Sequence, residues 1–297
     1  MFIKRRNMNN IKKIGLSALA GSLAITSAHA VEYSMSGDAI IKFASSDSPK
    51  GTQGSNGKGI GVDTDLAFSA SGELDNGFSV SFFQAANTHG AWSNSSSQVT
   101  VGMGSMGTLQ FNNISGAKAN GIDDVMPAAY NETWDGLTLA GNNPSFFGAS
   151  TASGSVDYRI PAQEMAGATI NASITLDPNA DEGAPAAGGV GTTTVGGHAY
   201  TLEIAHESGL SIGGGVEVVD NGGTLGGDEE NSTGYIKFAV GPISVGYQEA
   251  YQDSPNGGED NEAEFMGIAY TAGDLSVSYG ESSLTNHGIA ATTSVKE

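Results

Sequence analysis

The sequence predicts an all-β fold, an up-and-down antiparallel β-barrel that crosses a membrane on its strands. Three observations lead there. Apolar and polar residues alternate with period two along most of the chain, the pattern of a strand with two unlike faces. The connections between these segments alternate between short and long. No stretch after Ala30 holds the ~18 apolar residues of a membrane-crossing helix.

Residues 1–30 read as a signal peptide, separate from the barrel at 31–297. Lys4, Arg5, Arg6, Lys12 and Lys13 form a basic stretch. An apolar run from Ile14 to Ile25 follows, then Ala28-His29-Ala30, the small-x-small pattern of a cleavage site. The run is too short to span a bilayer as a helix.

Removing this leader sharpens the charge. The chain has 12 basic and 32 acidic residues, and the leader holds five of the bases and none of the acids. The remainder sets 7 bases against 32 acids, a net charge of −25. Phosphate neutralisation needs a basic surface, so nucleic acid is excluded as a partner. Cations are the expected charged partners. The chain has no cysteine, which excludes disulfides and thiolate metal sites.

Strands are predicted near 33–43, 62–72, 78–86, 97–103, 107–112, 154–160, 168–176, 198–207, 209–219, 233–240, 243–252, 263–271 and 274–281. A weaker fourteenth lies near 288–296. In the first, Tyr33, Met35, Gly37, Ala39, Ile41 and Phe43 share one face, with Ser34, Ser36, Asp38, Ile40 and Lys42 on the other. In 168–176, Ala168, Ile170, Ala172, Ile174 and Leu176 alternate with Thr169, Asn171, Ser173 and Thr175. Leu210, Ile212, Val216 and Val218 alternate with Ser211, Gly213, Gly215 and Glu217, and Leu275, Val277 and Tyr279 with Ser276 and Ser278.

The short connections are Glu73–Gly77, Gly104–Gly107, Pro161–Gly167, Ser208, Gly241–Pro242 and Ala272–Gly273. The long ones are 44–61, 87–96, 113–153, 177–197, 220–232 and 253–262. A membrane barrel has short turns on one rim and long loops on the other. A soluble sandwich has no reason to separate them so strictly. Asp75-Asn76-Gly77 suits a hairpin turn, because Asn and Gly accept positive φ cheaply. Gly241-Pro242 is a breaker pair. Tyr33 and Phe43 sit on one face at the two ends of their strand. At ~3.3 Å per residue and a tilt of ~45° they stand roughly 23 Å apart in height, close to a ~25 Å lipid-facing band edged by aromatics.

The same alternation sorts charges. Asp38, Lys42, Asp63, Asp65, Asp157, Arg159, Glu203, Glu217, Lys237 and Glu264 fall on polar faces and are expected to point inward. A lipid-facing Arg or Lys near the midplane costs ~2–4 kcal/mol, which argues against an outward Arg159 between Tyr158 and Ile160.

No catalytic constellation emerges, and no enzyme is expected. Gly102-Met103-Gly104-Ser105-Met106-Gly107 matches G-x-G-x-x-G, but strand pattern lies on both sides where a dinucleotide site needs a helix. His89, His198, His206 and His287 are too scattered for a zinc site. No nucleophile with its base can be assigned, as a barrel protease or lipase would need.

Several passages carry a resemblance. Val31-Glu32-Tyr33-Ser34-Met35-Ser36-Gly37 resembles the first strand of the Gram-negative general porins, especially those of alphaproteobacteria. Leu74-Asp75-Asn76-Gly77-Phe78-Ser79-Val80-Ser81 resembles their first periplasmic turn and next strand, and Ser105-Met106-Gly107-Thr108-Leu109-Gln110-Phe111 the turn into strand 5. The resemblance covers residues 31–281. It implies a 16-stranded outer-membrane barrel, usually a homotrimer, that passes ions and small hydrophilic solutes through a water-filled channel. It also implies that the loop after strand 5, here 113–153, folds inward and narrows the pore. A loop that long without structure of its own is uncommon in a compact domain unless functional.

On that reading Asp123, Asp124, Glu132 and Asp135 of the loop face wall cations such as Lys42, Arg159 or Lys237, and the acidic majority implies cation preference. No cofactor is expected. The outer loops carry Asp177, Asp181, Glu182, Asp228, Glu229, Glu230, Asp253, Glu259, Asp260 and Glu262. Such carboxylates could hold Ca²⁺ or Mg²⁺ bridging to lipopolysaccharide, although solvated loops are the preferred reading. Asp177-Pro178-Asn179-Ala180-Asp181 starts like a calcium loop but has Glu182 where Gly is needed. The chain departs from the family at its end, which is Thr293-Ser294-Val295-Lys296-Glu297 without a terminal aromatic. Either about two or three strands are missing or the barrel is a smaller, 14-stranded variant; a fragment is the preferred expectation. The alternative function, a secreted or surface-exposed β-rich adhesin, calls for an internal repeat. No period beyond the hairpin rhythm is present.

Overall fold

The structure is a computed structural model that describes residues 32–46, 57–87, 93–129, 132–133, 146–148, 154–178, 196–220, 228–253, 260–287 and 291–296. The leader predicted at 1–30 lies outside them.

The strands, in chain order, are β1 (Glu32–Ser46), β2 (Gly57–Glu73), β3 (Ser79–Asn87), β4 (Ser93–Gly102), β5 (Thr108–Asn113), β6 (Val156–Arg159), β7 (Gln163–Met165), β8 (Ala168–Asp177), β9 (Gly197–His206), β10 (Leu210–Val219), β11 (Glu229–Val240), β12 (Ile243–Asp253), β13 (Asn261–Ala272), β14 (Leu275–Asn286) and β15 (Ala291–Lys296). They form one sheet in which each strand pairs antiparallel with its sequence neighbour, β7 alone standing off the path on β8. This is the up-and-down order that short turns between alternating segments dictate. Among the described residues β1 and β15 do not pair with each other, so the sheet is open between its first and last strands.

Two expectations need correction. Residues 161–167 were expected to be a turn. Instead β6 and β7 lie end to end along β8, with Arg159 opposite Ser173 and Gln163 opposite Ile170. Pro161 lacks the N–H that a ladder requires, so it interrupts the strand without ending it. The turn itself is Ala166-Gly167, both at positive φ (52° and 80°), as a two-residue hairpin of primed type needs. The second correction concerns Glu264. It lies on the outer face with Met266, Ile268 and Tyr270, while Phe265 points inward and is fully buried. Glu264 accepts the Tyr247 hydroxyl at 2.9 Å and the Ser283 hydroxyl at 3.2 Å. Both faces of β13 mix polar and apolar residues, so polarity alone misassigned it.

The Gly102–Gly107 segment is a turn between strands. Gly104–Met106 makes one 3₁₀ turn between β4 and β5. At the β9–β10 turn a side chain is impossible at Gly209, because its Cβ would lie 1.9 Å from the Ala239 carbonyl.

Register fixes the two faces. Asp38 pairs with Asp65, Gln98 with Asn112, Gln110 with Asp157, Ser173 with Thr201, Glu217 with Asn231, Gly246 with Gly267 and Phe265 with Ser282. All of these belong to the inner face. The outer face presents Tyr33, Met35, Ile41, Phe68, Phe111, Leu202, Ile212, Ile236, Phe238, Ile268 and Tyr270, all exposed. In water such a surface would be unstable against aggregation; in a bilayer it is the lipid belt. The hydrophobic core lies on the opposite face. It joins Ala119, Ile122, Met126, Phe146 and Phe147 of the connection after β5 to Ala199, Tyr235, Ala250, Ala263, Phe265 and Leu284 of the wall.

Candidate functional site

The core points to the segment that enters the barrel. After β5, Ile114 takes φ 75°, a left-handed conformation that a β-branched residue rarely adopts. The chain turns inward there and is caught by inner-face side chains. Gln98 Nε2 donates to the Ser115 carbonyl at 2.8 Å. Gln110 Nε2 and Arg159 Nη2 donate to the Gly116 carbonyl at 2.7 and 2.9 Å. The Lys118 N–H donates to Asp157 Oδ2 at 3.1 Å.

A 3₁₀ turn at Asn120–Ile122 carries the chain to the far wall. There Gln248, fully buried, donates from Nε2 to the carbonyls of Ile122 (2.9 Å) and Asp123 (3.0 Å) and accepts the Val125 N–H at 3.0 Å. Further on, the Ala129 N–H donates to Ser278 Oγ at 2.8 Å, and Ser282 Oγ donates to the Thr133 carbonyl at 2.7 Å. The returning arm is held on β10 and β11. Asn231 Nδ2 donates to the Phe146 carbonyl at 3.3 Å, and the Gly148 N–H to Glu217 Oε2 at 2.9 Å. Phe147 lies over Gly215, where a Cβ would come within 2.5 Å of its ring. A Cβ on Gly148 would strike Ala119 at 2.5 Å, so the two arms touch. The described parts of the segment thus rest on the inner face at β4–β6, at β12–β14 and at β10–β11.

The expected site residues fall into distinct roles. Asp124 organises the segment itself: it accepts the N–H groups of Met126 (2.8 Å) and Thr133 (2.9 Å) and the Thr133 hydroxyl (2.8 Å). Asp123 accepts the Asp124 N–H at 2.9 Å. Burial, with the nearby Glu132 and Asp124 carboxylates adding repulsion, pushes its pKa up to about 7. Glu132 is exposed. Asp135 lies outside the described residues, and so does the side chain of Lys42, whose backbone pairs with Gly61.

The wall cations behave differently from one another. Lys237 feels the attraction of both Glu203 and Asp124, and its Nζ stands 5.5 Å from the Tyr235 ring centroid. Asp124 and Lys237 thus lie within electrostatic reach of each other. Arg159 points inward, pairs with its own strand neighbour Asp157 at 2.9 Å and donates to the Gly116 carbonyl of the segment. An inward guanidinium finds the nearest carboxylate, and Asp157 is fully buried beside it.

Sequence reasoning missed Lys118 and Gln248 and placed Glu203 inward without giving it a role. Lys118 makes an ion pair with Glu203, which also accepts the Tyr235 hydroxyl at 2.7 Å. Lys118 is the one base between 113 and 153, a signal that was there to be weighed. Glu203 carried only its place on a polar face. Gln248 carried no signal beyond the same parity.

Among the described residues, no group of three or more His, Asp or Glu is arranged to hold a metal ion. Asp181, Glu182 and Glu259 of the outer loops lie outside those residues.

Comparisons with known proteins give a family and a fold. A model of the Gram-negative porins matches residues 15–295. A porin refined at 1.8 Å resolution is similar in fold, with a TM-score of 0.55 at 15% identity over 86% of this chain and 84% of that one. Salmonella typhi OmpF, in complex with daunomycin, aligns with a TM-score of 0.56 at 11% identity over 87% of this chain and 78% of that one. At these identities the likeness is one of fold. A search of curated proteins finds no significant match.

Proposed function

The chain belongs to the Gram-negative porin family, which makes it a passive outer-membrane channel and not an enzyme, and on that premise we propose that it conducts ions and small hydrophilic solutes with cation preference through a lumen narrowed by the segment after β5. The observation that carries this reading is the hydrogen-bonded path of that segment across the inner face, from Asp157 to Gln248 to Ser282. Backbone placed inside a barrel occupies area that would otherwise conduct.

Electrostatics support the sign. Lys118 and Arg159 are each paired with a carboxylate, and Lys237 lies within the attraction of two. Asp123, Asp124 and Glu132 add acid from the inserted segment, and Asp38 and Asp65 face each other on the exposed inner wall. A ring of charge of one sign raises the local concentration of counter-ions and so selects them.

Export through a leader cleaved after Ala30, assembly as a homotrimer, and contact with lipopolysaccharide through acidic outer loops complete the proposal. The first rests on the basic, apolar and small-residue order of 1–30, and the other two on family resemblance. Planar-bilayer recording tests the reading. Stepwise channels with a reversal potential of cationic sign in a KCl gradient are expected. Anion preference would overturn the selectivity, and silence from folded protein would overturn conduction.

A further inference from the structure

We infer that Gln248 is the positioning residue of the constriction, an inference that rests on the reading of the inserted segment as the narrowest part of the pore. Gln248 is fully buried although it sits on the lumen face of a barrel strand. Every polar atom of its carboxamide is used. Nε2 serves the Ile122 and Asp123 carbonyls and Thr233 Oγ1 (2.8 Å), and Oε1 takes the Val125 N–H. One side chain therefore grips the segment's backbone on both sides of Asp123 and Asp124. It sets where those two carboxylates stand.

The wall around Gln248 is shaped to admit the segment. Gly246, Gly267 and Gly280 pair across β12, β13 and β14 at one level. A Cβ on Gly246 would lie 2.9 Å from Pro127 Cδ, one on Gly267 2.8 Å from the Pro127 carbonyl, and one on Gly280 2.6 Å from Thr133 Cγ2. These three absent side chains make a recess that Met126, Pro127 and Thr133 fill. The recess gives room, and Gln248 gives register. An amide is required because the grip needs a donor and an acceptor on the same head group. Glutamate keeps the shape but turns the donor into a charged acceptor facing two carbonyls.

The test reads segment position and conduction separately. The protein has no cysteine, so Ala129→Cys with Ser278→Cys places one reporter pair where Ala129 N and Ser278 Oγ are 2.8 Å apart. The rate of disulfide formation with an added oxidant measures how often the segment is seated. Gln248→Ala and the isosteric Gln248→Glu are made in this background, in full-length folded protein. Losing a buried hydrogen-bond grip should slow cross-linking roughly five- to hundredfold. Single-channel conductance should rise in the reduced variants and return to the parent value once the disulfide has formed. Cross-linking at the parent rate in both variants would overturn the role of Gln248. Slow cross-linking with unchanged conductance would uphold the positioning and overturn the constriction reading on which the functional part rests.

Discussion

The inner faces of β1–β2 and of β9–β14 follow the same alternation, yet they meet different surroundings. On β1 and β2, Ser36, Asp38, Asp65 and Ser71 are exposed. On β9 to β14, Ala199, Gln248, Ala250, Ala263, Phe265 and Leu284 are fully buried. One wall is wet and the other carries the inserted segment. The lumen is therefore divided, with a packed half and an open half. An inward Phe or Leu is costly against water but favourable against Ile122, Met126 and Phe147, so apolar residues on the polar face mark the packed half.

The largest effects are expected on the packed wall. Phe265→Ala should lower stability to urea by ~3–5 kcal/mol, since it empties a fully buried ring site. Ser36→Ala on the wet wall should stay within ~0.5 kcal/mol. Equal effects in equilibrium unfolding would erase the distinction between the two walls. Gly267→Val should cost ~1–3 kcal/mol and raise conductance, because the new side chain meets the Pro127 carbonyl. An unchanged conductance would show that the recess is not needed.

The next effect is in pH. The Asp123 pKa is raised to about 7 by burial, from 3.8. Its contribution to seating the segment is complete below the ordinary aspartate range, where it is protonated whether seated or released. That contribution is lost as pH rises through about 7, because the buried carboxylate must then ionise. Ionisation also adds a negative charge beside the pore. Cation preference should therefore increase between pH 5 and 9 with an inflection near pH 7, read from reversal potentials, and Asp123→Asn should flatten that inflection. A modest effect of opposite sign is expected at Ile114→Gly, which removes the left-handed strain of a β-branched residue where the segment turns inward. A gain of about 1 kcal/mol in urea unfolding is expected.

The barrel was legible in the sequence because period-two alternation and loop length are local signals. Even the weak last segment forms β15 against β14. The break at Pro161 was read as a turn because proline marks both turns and interrupted strands, and only pairing with β8 separates the two. Glu264 was misplaced because its face is decided by Phe265 meeting the inserted segment, a contact between residues distant in sequence. Arg159 illustrates the converse: it was paired with loop acids across the pore, while a carboxylate two residues away on its own strand, Asp157, was the partner at hand. Gln248 was invisible: its alternation is that of any lumen residue, and its role arises from backbone atoms of Ile122, Asp123 and Val125 more than a hundred residues earlier.

The division of the lumen is tested most directly by cysteine accessibility during conduction. Single cysteines at Ser36, Ser71, Ala250 and Ala263 would be treated with a charged, water-borne thiol reagent while current is recorded. Reagent is expected to cut the current through the Ser36→Cys and Ser71→Cys channels and to leave the Ala250→Cys and Ala263→Cys channels unmodified. Block at positions 250 and 263 with none at 36 and 71 would place the ion path on the other side of the inserted segment and contradict the account.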